Sequence, residues 1–525
     1  MEKMELSAQQ ARRIKRSNII KGTLILTMAG FITRVIGFFY RIFLSNTMGA
    51  ELMGIYQLIF PVFGICFTIF ASGIQTSISR LVAAELGKRN PKNVYRILRM
   101  GIVLSLSSAI LISALVYLNA DWIAWRFLLE KRAAASLKIL AVAFPFCGVT
   151  ACINGYYYGL KKAGVPATTQ LLEQVIRVVI VYILAFYLGK GNLTVTCEIA
   201  VIGVVAGELV SCLYNLSSLF LSKSPSSLLV SGPDPQALLS RRKRIIYNLL
   251  TLSIPLSANR LLLSILHSIE AVMIPAMLRR SGLSTQEALA AFGVLNGMSI
   301  PFIMFPTALT NALAVLLLPT ISEAQAVGND ALIGKTTAVS IKYSLIIGII
   351  STGLFILFGN DLGNIVFHNK ASGNYLMILA WLCPFMYLTT TLGSIINGLG
   401  KAHVTFINSV IGALCKIFLI VLLIPARGIH GYLISLLVGQ LIITGLDTFA
   451  VLHYVKFEID SVNSIVKPGI ITAFAGFFVK ASYDYIKKMT HINELVFLLT
   501  FCLLLCAICI ILLYITGSVS RKDFS

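Results

Sequence analysis

ILAVAFPFCGVTACINGYYYGLKKA (residues 139–163) and ILAWLCPFMYLTTTLGSIINGLGKA (residues 378–402) are the same segment written twice. Ile139-Leu140-Ala141 and Pro145-Phe146 return as Ile378-Leu379-Ala380 and Pro384-Phe385. Gly159-Leu160-Lys161-Lys162-Ala163 returns as Gly398-Leu399-Gly400-Lys401-Ala402, with one shift of 239 residues and no gap. The same shift pairs Thr150 with Thr389, Val165 with Val404, Arg177 with Lys416 and Gly54 with Gly293. Apolar residues match often by chance. A shared Pro-Phe, Gly-Leu and Lys-Ala at fixed spacing does not, so the chain is read as an internal duplication.

What is duplicated follows from composition. The 525 residues are 57% hydrophobic and 12% charged, with a mean hydropathy of +0.87. Soluble domains carry about 25% charged residues, so a soluble multidomain protein is excluded, as are a disordered chain and a disulfide-stapled secreted scaffold. The apolar residues lie in blocks near the ~20 residues that cross a bilayer as a helix. Fourteen such spans are expected, at 22–46, 52–84, 94–118, 135–160, 165–188, 195–221, 245–278, 289–320, 332–358, 373–399, 402–424, 428–455, 463–486 and 492–517. The shift carries span 4 onto span 10, so the repeat unit is six helices. An even number returns the chain to its starting side, and two parallel repeats are related by a pseudo-twofold axis along the membrane normal. The expected fold is an all-α polytopic membrane protein with two parallel six-helix repeats and two additional C-terminal helices. Its parts are a basic N-terminus (1–21), a first bundle (22–221), a polar linker (222–244), a second bundle (245–455), and spans 13–14 with the tail (456–525). Facing bundles with a cleft between them suggest a transporter working by alternating access.

Forty-three Lys+Arg against 21 Asp+Glu give a net charge of +22. The basic residues sit between apolar blocks, where they orient a membrane chain and meet anionic lipid. No nucleic-acid module is present. With the N-terminus inside, the cytoplasmic segments hold the leading cluster through Lys21, Lys88/Arg89/Lys92/Arg96/Arg99, Lys161/Lys162, Arg241-Arg242-Lys243-Arg244, Lys401 and Arg521/Lys522. The other side holds chiefly Lys131/Arg132, Arg279/Arg280 and Lys487/Lys488, so both termini are expected in the cytoplasm. The first apolar block is too long for a signal peptide and lacks a small-residue cleavage site. All ten cysteines lie in or beside apolar blocks, and Cys506-x-x-Cys509 reads as packing. No zinc spacing, P-loop or nucleophile elbow occurs, and no cofactor or metal is expected.

Ionisable groups inside spans are costly and mark candidate sites. Span 1 carries Arg34 and Arg41 on one helical face, with Thr27, Gly30 and Gly37 near it. Span 7, its repeat partner, carries Arg260, His267 and Glu270. Span 5 has Glu173 and Arg177 at i, i+4. Gln75 and Asn311 add polar groups in spans 2 and 8. Arg41 also suits snorkelling to the interface, His267 a core hydrogen bond, and Glu173–Arg177 an internal structural pair as readily as a coupling pair. Arg34 and Arg260 are expected to face the cleft, where guanidinium forks suit phosphate or carboxylate oxygens and imply an anionic cargo. Glu270, near Arg260 in sequence, is expected to tune that charge or bind H⁺ or Na⁺. Pro61, Pro145, Pro301, Pro306 and Pro384 are expected to kink spans 2, 4, 8 and 10. Asp121 and Asp361 are expected to stand alone.

Lys21-Gly22-Thr23-Leu24-Ile25-Leu26, Thr33-Arg34-Val35-Ile36-Gly37-Phe38, and the stretch from Gly54-Ile55-Tyr56 through Pro61 to Ser79-Arg80-Leu81-Val82-Ala83 resemble the sporulation branch of the multidrug/oligosaccharidyl-lipid/polysaccharide flippase superfamily. The resemblance covers essentially the whole chain, the first ninety residues being its specific part. It implies a lipid II flippase-like or multidrug-exporter-like fold in the cell membrane. It further implies a flippase of undecaprenyl-pyrophosphate-linked peptidoglycan precursor serving spore cortex synthesis. In related lipid II flippases, helix 1 arginines line a cationic cavity and the last two helices form a groove for the lipid tail. Arg34 matches the first such arginine. The second falls on Tyr40, with Arg41 one residue displaced, and a basic pair before Phe70-Ala71-Ser72-Gly73 is replaced by Phe67 and Thr68. The expected partners are a lipid-linked oligosaccharide, membrane lipid and a coupling ion. Two other functions compete: a cation-coupled multidrug exporter, which needs an acidic cleft, and a non-transporting cell-wall scaffold or polymerase, which needs catalytic carboxylates in large outer loops.

Overall fold

A computed structural model describes residues 2–88, 91–189, 193–221, 235–489 and 493–519; for 2–24, 91–92 and 235–243 it describes the backbone alone. Most of the expected linker, 222–234, and the tail basic pair Arg521/Lys522 lie outside the described residues. The described residues contain no β-strand, and the chain is an all-α, multi-pass protein of the cell membrane. Only hydrogen-bonded helices satisfy every backbone group of such a sequence inside lipid.

Among the described residues, twelve helices are long and apolar enough to cross a membrane, or thirteen with the pair Ala133–Ala141 and Phe144–Gly159, which meet at a 46° bend. Two of the twelve are far longer than one crossing. At 1.5 Å per residue, the 53 residues of Ala402–Tyr454 would run well beyond the ~30 Å hydrocarbon core. Gly428, at φ 55° and ψ −137°, interrupts that helix. A Cβ on Gly431 would lie 2.2 Å from the Leu423 carbonyl oxygen, a distance possible only where the chain folds back on itself. Expected spans 11 and 12 are thus the arms of one hairpin. Glu2–Phe67 is likewise interrupted at Gly49, at φ 77° and ψ 171°. Expected span 8 is split into Thr285–Met304 and Thr307–Ala326. The break falls at Phe305–Pro306, because proline brings no N–H to the helix ladder.

The other prolines stand at helix starts or inside a helix, and of these only Pro145 lies at a bend of more than 40°. Pro145 and Pro384 stand in the first turn of Phe144–Gly159 and Cys383–Gly398, where a missing N–H costs nothing. Pro61 lies inside a helix, shortly before the π-helical turn Thr68–Ser72, and its carbonyl accepts from Ser268 Oγ at 3.2 Å.

The duplication is visible in element boundaries. Helices end at Gly87 and Ala326, the next begin at Pro91 and Asp330, and Phe144–Gly159 answers Cys383–Gly398, always 239 residues apart. By packing the chain forms two compact units, Met1–Tyr40 with Ile55–Ser268, and Arg41–Gly54 with Ile269–Ser525. The first has Ile78, Val82, Val94, Ile153, Tyr156 and Tyr157 in its core. The second has Leu317, Ile321, Ile333, Leu392, Ile395 and Ile396, the same six positions one repeat later.

The second unit also carries a symmetric contact. A Cβ on Gly54 would lie 2.2 Å from the Leu289 carbonyl oxygen, and one on Gly293 would lie 2.0 Å from that of Ala50. Ala50 and Leu289 are themselves one repeat apart. Each helix therefore offers the other the same patch, the signature of a local twofold relation between these two helices. Segment 41–54 is fixed there as well, with Asn46 Nδ2 donating to the Val366 carbonyl at 2.9 Å.

Candidate functional site

In the first unit, Arg34 is exposed on its helix, and its side chain makes no hydrogen bond or ion pair with any described residue. One turn on, Gly37 lies against the next charged helix: a Cβ there would be 3.4 Å from Gln174 Nε2. That helix, Gly164–Leu188, holds the expected Glu173–Arg177 ion pair. Arg177 also reaches Gln174 Oε1 at 3.5 Å, while its Nε has no partner. The neighbouring helix Cys197–Leu221 approaches closely because Gly203 and Gly207 carry no side chain. A Cβ on Gly207 would lie 2.8 Å from the Glu173 carbonyl, and one on Gly203 would lie 3.1 Å from that of Arg177. This small-xxx-small spacing is a common way for helices to meet in lipid. It brings Glu208 within electrostatic reach of Glu173 and Arg177.

Arg260 is exposed too, but it is held. Its Nη1 donates to the Ser72 carbonyl at 3.1 Å and to Ser72 Oγ, at the end of the π-helical turn Thr68–Ser72. That turn frees a carbonyl an α-helix would use, and π-turns recur at functional positions. Gln75, half-buried, packs through its backbone against Gly155, whose Cβ would sit 2.5 Å from the Gln75 carbonyl. His267 is exposed and interacts with a neighbouring group.

In the second unit, Arg41 is exposed and also engaged, and Asn311 is half-buried. Glu270 is buried, and its partner is Lys416, with Nζ 2.7 Å from Oε2. Arg260 answers Ser72 and Glu270 answers Lys416, so the expected tuning of one by the other is not what holds either side chain.

Two further acids belong to these surroundings. Glu208 and Asp447 are mid-span acids, a visible signal. Asp447 is buried, with Oδ1 accepting from Asn408 Nδ2 at 2.8 Å and Oδ2 without a partner. Neither Asp121 nor Asp361 stands alone, contrary to expectation. Asp121 pairs with Lys138 at 2.8 Å, and Asp361 with Lys480 at 2.6 Å and Lys487 at 3.6 Å. Their partners lie on other helices, which spacing alone does not reveal. Lys480 rests on the ring of Phe358, in Asp330–Phe367, and on Tyr483 of its own helix Lys467–Lys487, and Tyr483 stacks on Phe497 of the last helix, Glu494–Ile515. A cavity of about 360 Å³ opens beside this network, lined by Asp361, Asn364, His368, Lys487 and Glu494 among others.

The model of the polysaccharide biosynthesis protein family matches residues 19–325, more than half of the chain. The chain belongs to that family. The MatE family model also matches, over residues 276–422. Stage V sporulation protein B of Bacillus subtilis (strain 168) is 25% identical over 474 residues, covering 90% of each chain. The lipid II flippase MurJ of the same organism is 23% identical over 453 residues, covering 81% of each. Among solved structures, the inward closed conformation of a lipid II flippase MurJ superposes with a TM-score of 0.70 at 15% identity, over 95% of this chain and 99% of that one. At such identity the likeness is one of fold. It reaches past both repeats into the C-terminal helices, as the sequence resemblance implied.

Proposed function

We propose that this member of the polysaccharide biosynthesis family is a flippase, not an enzyme, moving a lipid-linked oligosaccharide with an anionic diphosphate across the cell membrane by alternating access of its two six-helix repeats. The observation that carries the reading is Arg34, a guanidinium within an apolar span that no described side chain engages. A charge placed there has to meet water or an anion. Its planar fork matches two phosphate oxygens at once, which an ammonium cannot do. Arg260 offers a second cation, held at the Ser72 turn. The related proteins are named for sporulation and for lipid II flipping. On that basis the cargo proposed is an undecaprenyl-pyrophosphate-linked peptidoglycan precursor, used for spore cortex. Spans 13 and 14 would take its polyprenyl chain.

A multidrug exporter is favoured by the MatE match. It requires carboxylates free to hold organic cations; Glu173 and Glu270 each hold a cation of the protein itself, which leaves Glu208 and Asp447 as the acids an exporter would have to use. The deciding assay is precursor flipping in proteoliposomes with fluorescent undecaprenyl-pyrophosphate-linked substrate. Arg34→Ala and Arg260→Ala should abolish flipping at normal protein abundance, and undiminished flipping by both would refute the proposal. An overexpressing strain that gains drug resistance would favour the exporter.

A further inference from the structure

We infer that Lys416 is a tethered cation: its ammonium fills, at Glu270, the position a soluble monovalent cation would otherwise occupy, and the carrier needs no such ion at this carboxylate. The consequence for ion coupling rests on the flippase reading; the cation site itself does not.

Glu270 lies in an apolar helix with its side chain 12% exposed, and Lys416 is 18% exposed. An ionised carboxylate at that depth needs a compensating cation. Its own helix brings no lysine or arginine within one turn, since the residues three and four positions away are Leu266, His267, Met273 and Ile274. The cation comes instead from the hairpin Ala402–Tyr454, 146 residues further on. A path is kept open for it. A Cβ on Gly439 would lie 2.9, 3.2 and 3.3 Å from Lys416 Cβ, Cγ and Cδ, so the lysine stem runs along the bare glycine.

The first repeat shows what is unusual here. Arg177 is the repeat equivalent of Lys416 and also lies over a glycine, Gly203. Its acid is on its own helix, Glu173, one turn before. In the second repeat the position of Glu173 is Gly412, packed against Ile443. Having no local acid, Lys416 crosses to Glu270. The bond therefore joins the first helix of the second repeat to its fifth, a place where a mobile ion would tie the two together only while bound.

The test uses the full chain in lipid nanodiscs. Thermal unfolding is followed in N-methylglucamine chloride, a cation too bulky for the site, and then with Na⁺ or K⁺ replacing it at constant ionic strength. Lys416→Met keeps the length of the side chain and removes its charge. It should unfold several degrees below wild type in N-methylglucamine and recover saturably with Na⁺ or K⁺, as ligand linkage requires. Wild type and the neutral double variant Glu270→Gln/Lys416→Met should not respond. A cation-blind Lys416→Met overturns the inference. If Lys416→Met is not recovered folded, radiolabelled Na⁺ binding to wild type decides: no saturable binding supports the inference, and binding lost in the double variant overturns it. Neither readout involves lipid substrate, so a failed flipping assay leaves the result standing, and the reverse holds too.

Discussion

Arg34 and Lys416 are both long cations inside a helical membrane protein, and their surroundings give them opposite parts. Lys416 has its counter-charge at 2.7 Å, whereas Arg34 is exposed with no partner among the described residues. Replacing an exposed, unpaired side chain usually changes stability by no more than about 0.5 kcal/mol. Arg34→Ala should therefore unfold at nearly the wild-type temperature while losing flipping. Arg34→Lys separates charge from shape. If the cargo is a diphosphate held by a bidentate fork, lysine restores only part of the activity. Full restoration would mean that charge alone matters. Both variants are checked by thermal unfolding alongside the proteoliposome assay. Arg34 was legible from the sequence because an arginine in a span is conspicuous by itself. Lys416 was legible only as the match to Arg177, since its partner on another helix leaves no trace in spacing.

Between helices, what a neighbour is made of decides the cost of a substitution. A Cβ on Gly293 would meet the Ala50 carbonyl at 2.0 Å and the Gly54 nitrogen at 2.6 Å, both backbone atoms that cannot step aside. On Gly476 it would meet the end of the Leu357 side chain, Cδ1, at 2.4 Å, and a leucine can change rotamer. Overpacking typically costs about 1–3 kcal/mol. Gly293→Ala should fall at or beyond the upper end and Gly476→Ala near the lower, measured as loss of thermal or denaturant stability. Equal costs would mean that the Gly54–Gly293 contact yields. The C-terminal helices give a second case. Asp361 binds Lys480 and Lys487 with side chains about one-fifth to two-fifths exposed. That lies between exposed pairs, worth about 0–1 kcal/mol, and buried ones, whose breakage costs about 3–5 kcal/mol. Asp361→Asn should cost about 1–3 kcal/mol, with faster hydrogen exchange concentrated in Lys467–Lys487. At this scale the sequence was read well where a repeat or a proline marked a boundary, as at Gly159 and Gly398. At Phe305–Pro306 the proline marked the interruption, but hydropathy runs on through it, so two helices were counted as one span.

For the molecule as a whole, the governing fact is that an even-membered repeat cannot invert. Helix boundaries, core positions and the Gly54–Gly293 contact all recur at one shift, so the two repeats are expected to cross the membrane in the same sense, with two further spans returning the chain to its starting side. Which side that is depends on charge. Lys161/Lys162 and Lys401 close equivalent helices of the two repeats, while Lys131/Arg132 and Lys487/Lys488 lie at the opposite ends of their helices. The heavier basic load, with the leading cluster, falls on the side of Lys161 and Lys401, and that side is expected to face the cytoplasm. The native cysteines help here, because all ten are buried or half-buried and should react slowly with a polar maleimide. Single cysteines placed by Lys131→Cys and Lys488→Cys should be labelled by an impermeant maleimide in intact cells. Those placed by Lys162→Cys and Lys401→Cys should be labelled only after permeabilisation. The reverse pattern would turn the molecule over and leave the Arg34 and Lys416 arguments untouched. A mixed pattern, with Lys162→Cys and Lys401→Cys on different sides, would contradict the parallel repeat itself and the alternating-access reading built on it.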